Sequence, residues 1–105
     1  MEEPALYFSD LAHDPGLAEI IELFVAELPG RVDAMRQAAK AGDLATVGRL
    51  AHQLKGAGGS HGFPHLSTIA REVERAAREL QSPSETSAAI ERLAGACART
   101  RSGTK

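Results

Sequence analysis

Aliphatic side chains recur at spacings of three and four along nearly the whole chain, and that period admits helices and little else. Leu17, Ile20, Ile21, Phe24, Leu28, Val32, Met35 and Ala39 form the first stripe. Leu44, Val47, Leu50, Ala51, Leu54, Ala57 and Gly58 form the second, and Leu66, Ile69, Ala70, Val73, Ala76, Ala77 and Leu80 a third, the cleanest of all. Ala89, Ile90, Leu93, Ala96 and Cys97 make the fourth. Start and stop signals separate the stripes. Asp14-Pro15 opens the first helix, Ala41-Gly42 closes it, Asp43 caps the second, Pro64 opens the third, and Ser82-Pro83-Ser84-Glu85 reads as a capping box. Pro29 interrupts the first stripe without shifting its phase, so a kink is expected there. The second helix is expected to fray near Gly58–Gly62.

Four helices on short loops predict an all-α fold, an antiparallel up-down-up-down four-helix bundle. Leu6, Phe8 and Leu11 within residues 1–15 add the expectation of a short extra N-terminal helix over one end of the core. At 105 residues the chain holds one core and one domain, 1–105, with the core in residues 16–100 and frayed ends at 1–4 and 102–105. The net charge of −2 gives no general attraction to nucleic acid or to an anionic membrane. One cysteine excludes an internal disulfide framework and suits a reducing compartment, and no apolar run is long enough to span a bilayer. A soluble cytoplasmic monomer is the expectation.

His52 stands apart from the stripes. At about 100° per residue it projects to the side opposite Leu54 and Val47, into water. Its helical neighbours are Gly48, Gly56 and Gly59, flanked by Arg49 and Lys55. Each glycine inside a helix costs roughly 0.5–1 kcal/mol relative to alanine. A face left bare at that cost leaves room for a macromolecule to approach the imidazole, although glycines near a helix end also mark fraying.

His52-Gln53-Leu54-Lys55-Gly56, followed by small residues and Gly62, resembles the H-x-L-K-G signature of histidine-containing phosphotransfer (HPt) domains, and the helical context of residues 16–100 resembles theirs too. The resemblance implies a four-helix bundle that carries a phosphoryl group on the histidine and exchanges it with a receiver-domain aspartate. His52 is then the phospho-acceptor, Lys55 supports the phosphoryl group, and Gly56 gives the partner clearance. The implied partners are response-regulator receiver domains or a hybrid histidine kinase, with no nucleic acid and no membrane. The receiver brings its own Mg²⁺, so no metal or other cofactor is expected in this chain. Without an ATP-binding module the chain is a carrier rather than a turnover enzyme.

Neutral imidazole is a good nucleophile, and Arg49 and Lys55 favour that form by repelling a second positive charge. An antiparallel third helix brings Glu74 to the level of His52, where its carboxylate can accept from one ring nitrogen and would favour the charged form instead. Several HPt domains resembling this chain place Gln at that spacing. Glu74 is equally readable as a surface carboxylate paired with Arg71, Arg75 or Arg78. Gly48, Arg49, Gly59 and Glu74 are thus the candidate partner-facing residues.

His61 and His65 have the i, i+4 spacing of a metal pair, but Gly62 and Pro64 break the helix between them and His61 projects inward, so zinc is not expected. His61 reads as closing the bundle end beside Phe63, His13 as loop surface, and Cys97 as a small core residue. Two other classes compete with phosphotransfer. One is a helix-turn-helix DNA binder with Arg71, Arg75 and Arg78 on its recognition helix, weakened by the glutamates interleaved with them. The other is a docking bundle in which His52 is never modified.

Overall fold

The computed structural model describes residues 5–104. Four α-helices carry the fold: α1 (Ala18–Lys40), α2 (Leu44–Ser60), α3 (Pro64–Arg75) and α4 (Pro83–Ala98). A π-helical segment, Ala76–Leu80, prolongs α3, and two short strands, β1 (Tyr7–Phe8) and β2 (Thr100–Arg101), pair in parallel with Tyr7 opposite Thr100. Around the bundle α1 packs on α2 and α4, and α3 packs on the same two helices. The stripes meet in a core of Ile21, Phe24, Leu28, Val32 and Met35 from α1, Val47, Ala51 and Leu54 from α2, Phe63, Leu66, Ala70 and Val73 at α3, and Ala89, Ile90, Leu93 and Ala96 from α4. Among the described residues no helix is long and apolar enough to cross a membrane.

The helix boundaries follow local chemistry. Asp43 caps α2 by accepting from the Thr46 amide at 3.0 Å, and Ser82 caps α4 by accepting from the Glu85 amide at 3.2 Å. The Ser82 amide bonds the Ala76 carbonyl, so only half of the predicted capping box forms. The first helix begins three residues later than Asp14-Pro15 implied, because the Asp14 carboxylate accepts from the Gly16 amide and closes a turn of its own. α1 runs unbroken through Pro29. α2 does not fray at its glycines. It continues to Ser60, and Gly62, at φ +80°, terminates it while the Phe63 amide reaches back to the Gly58 carbonyl at 2.8 Å.

The expected N-terminal helix is absent from the described residues. Tyr7 and Phe8 are extended, the Tyr7 amide donates to the Arg99 carbonyl at 2.8 Å, and the Asp10 amide donates to the Gly62 carbonyl at 2.8 Å. Backbone partners at both ends of this strap outcompete a short helix, whose nucleation costs more than a few bonds return. Opposite the strap, Thr100 is buried at 2% exposure and Arg101 is paired in β2. Of the residues expected to fray, 1–4 and 105 lie outside the described residues.

Candidate functional site

His52 sits in the middle of α2 with its side chain 59% exposed. Its Nδ1 lies 2.9 Å from Oε2 of Glu74, which reaches across from α3. Glu74 is only 14% exposed and accepts two further bonds, from Lys55 Nζ to Oε1 at 2.7 Å and from Arg78 Nη1 to Oε2 at 2.7 Å. The Lys55 ammonium holds the Glu74 carboxyl below the usual carboxylate range. Partial burial opposes that shift and the His52 bond reinforces it. An ionised carboxylate can only accept, so Nδ1 donates, and in the neutral ring the lone pair then lies on Nε2. Among the described residues nothing bonds Nε2.

The helix register that makes this cluster is built from small residues. Along α2 and the α3 helix with its π-helical extension, Gly48 meets Arg78, His52 meets Glu74, and the Lys55 carbonyl accepts from Ser67 Oγ at 2.6 Å. Gly58 permits this closeness, since a Cβ there would lie 3.2 Å from Leu66 Cβ. Gly48 is buried beneath the Arg78 side chain, and a Cβ in its place would come within 2.7 Å of Arg78 Cγ. A Cβ at Gly59 would lie 3.2 Å from Ser67 Oγ. The bare face expected around His52 is therefore narrower than the helical angles implied. Gly56 alone of the three has nothing within 4 Å of a Cβ position. The physical reason is α3, which leans over the other two.

Glu74 satisfies both readings of the sequence at once, as the partner of His52 and as the i, i+4 partner of Arg78. Arg75 turns instead to Glu79 at 3.4 Å. Arg49 is exposed and makes no ion pair among the described residues. Of the three arginines offered as partners of Glu74, Arg78 is the one that joins the site. Its signal was the four-residue spacing from Glu74.

The other histidines lie elsewhere. His61 stacks on Phe24 with ring centroids 4.3 Å apart, and its Nδ1 donates to the Ala57 carbonyl at 2.6 Å, at the bundle end where Phe63 is buried. His65 stacks on Tyr7 at 3.8 Å and donates from Nε2 to Thr100 Oγ1, whose own proton goes to the Ala96 carbonyl. Burial, reinforced by Arg99, lowers the proton affinity of His65. His13 is exposed. Burial raises the Cys97 thiol to about 11, which leaves it unreactive as a nucleophile. Among the described residues no group of three or more His, Cys, Asp or Glu side chains could hold a metal ion.

A helical bundle that presents a solvent-facing imidazole, oriented by a carboxylate and flanked by cations, offers a positioned nucleophile to an approaching partner. The family model of the Hpt domain matches residues 19–103, and the chain belongs to that family, whose members carry out histidine phosphotransfer in two-component phosphorelays. Searches of curated proteins and of solved structures gave no significant match.

Proposed function

We propose that His52 is the phospho-acceptor and that its Nε2 takes a phosphoryl group from a receiver-domain aspartate, or from a kinase, and passes it to another receiver. The carrying observation is the Nδ1–Glu74 bond, which places the proton of the neutral ring on Nδ1 and leaves the Nε2 lone pair, on a largely exposed side chain, without a partner among the described residues. In the step the Nε2 lone pair forms the N–P bond while the P–O bond to the receiver aspartate breaks. The aspartate leaves with that electron pair, and the ring, still protonated on Nδ1, becomes a cation facing the Glu74 carboxylate. Lys55 spends one of its three N–H donors on Glu74, and the others are available to phosphoryl oxygens. Arg78 and Arg49 add positive charge around the incoming anion. Gly56 leaves the open backbone over which receiver loops approach.

The bundle acts as a cytoplasmic monomeric carrier, without a metal or other cofactor of its own, and Mg²⁺ belongs to the receiver. An up-down-up-down antiparallel arrangement is supported by the running order of contacts along α2, where Gly48 meets Arg78, His52 meets Glu74 and Lys55 meets Ser67, so that one helix ascends as the other descends. DNA binding is disfavoured by the engagement of Arg75 and Arg78 with Glu79 and Glu74.

The test is transfer from phosphorylated receiver domains to the wild type and to His52→Gln. Acid-labile, alkali-stable label on the wild type and none on the variant is expected. Equal label on both would overturn the assignment.

A further inference from the structure

The partner of His52 Nδ1 is a carboxylate held by two cations, and that choice has a chemical consequence once the ring is phosphorylated. An amide at this position can rotate, accepting from Nδ1–H or donating to bare Nδ1. A carboxylate accepts only, so Glu74 is satisfied only while Nδ1 keeps its proton. The proton decides how easily the phosphoryl group leaves. When a receiver aspartate oxygen attacks phosphorus and the Nε2–P bond breaks, the electron pair returns to Nε2. From the Nδ1-protonated ring the leaving group is neutral imidazole and no proton need move. From the deprotonated ring it is an imidazolate anion, a far poorer leaving group.

We propose that Glu74 is a positioning residue that holds the phosphorylated His52 ring in its protonated, labile form, making this chain a fast donor rather than a phosphoryl store. The inference rests on His52 being the acceptor. Its geometry is specific. Glu74 Oε2 is 2.9 Å from Nδ1, and Lys55 and Arg78 hold the carboxylate from two sides at 2.7 Å, which fixes it against rotation. The charged groups around the ring are Arg49 and Lys55 on α2, Glu74 on α3, and Arg78 on the π-helical segment that prolongs α3. Among the described residues Glu74 alone is an acid within ion-pair distance of it. The three cations favour loss of the Nδ1 proton, so Glu74 is the one group that opposes them. It does so through direct contact.

The test loads the wild type and Glu74→Gln with phosphoramidate, a small donor that needs no docking, and follows release of phosphate as a function of pH. The wild type is expected to stay labile to higher pH. Glu74→Gln is expected to hold its label about tenfold longer at neutral to mildly alkaline pH, the ratio that corresponds to one hydrogen bond to a charged group. Superimposable pH profiles would overturn the proposal. A second measurement needs no variant: in the phosphorylated wild type, Nδ1 should keep its proton, read from its ¹⁵N signal, to a higher pH than in a phosphorylated histidine peptide. Proton loss at the same pH as in the peptide would overturn it too. Phosphoramidate label that persists on His52→Gln would instead signal failure of the acceptor assignment, a separate result.

Discussion

Gly48 shows how a single residue shapes the site without touching the reacting atoms. Its missing Cβ is where Arg78 lies on the way to Glu74. Gly48→Ala gains up to about 1 kcal/mol of helix propensity. It also pushes aside a half-exposed ion pair worth roughly 0–1 kcal/mol, so stability should remain within about 1 kcal/mol of wild type. Phosphotransfer to His52 should slow, since Arg78 is displaced. Denaturation and transfer rates measured on the same preparation check both halves, and a rate equal to wild type would remove Arg78 from the site. His52, Lys55 and Gly56 could be named from helical spacing together with the resemblance of their motif, and Glu74 from an antiparallel third helix. The covering of Gly48 could not, because a helical angle gives a direction and says nothing of which neighbouring helix fills it.

At the scale of elements, the end of the third stripe departs from expectation for a local reason. Leu80 continues the third stripe in the sequence but is 44% exposed, because the wider π-helical turn at Ala76–Leu80 rotates it out of phase. Gln81 then closes the segment in the left-handed region, at φ 48°. Neither feature is written in a three-and-four period. Thr86, fully buried near the start of α4, has a hydroxyl without a hydrogen-bond partner. Thr86→Val should therefore stabilise the bundle by about 1 kcal/mol, read as a raised urea midpoint; a lowered midpoint would mean the hydroxyl is satisfied. Gly62 tests the opposite sign. Its φ of +80° and the closeness of Ser9 Oγ leave no room for a Cβ, so Gly62→Ala should cost on the order of 2 kcal/mol and loosen the strap over the α2–α3 turn. Hydrogen exchange at the Asp10 amide reports the loosening. The helices themselves were legible because their caps and stripes are local signals, whereas the strap depends on partners at Gly62 and Arg99, far away along the chain.

Across the whole molecule the strap ties both chain ends to the base of the bundle through Tyr7, His65 and Thr100, and this gives stability a pH dependence. Burial lowers the proton affinity of His65 in the folded state, so below its ordinary value of about 6.5 the unfolded chain binds more protons. Its contribution is present above that value and is lost as pH falls. The urea midpoint should drop from about pH 7.5 to about pH 5.5, and drop less in His65→Gln. Glu74, also shifted down, weakens only further into the acid range, where the carboxylate itself protonates. The central claim concerns one nitrogen, and it can be observed directly. In ¹⁵N-labelled protein phosphorylated by a receiver, phosphorus should couple to Nε2 of His52, with Nδ1 still bearing its proton toward Glu74. Coupling to Nδ1, or to the ring of any other histidine, would contradict the account.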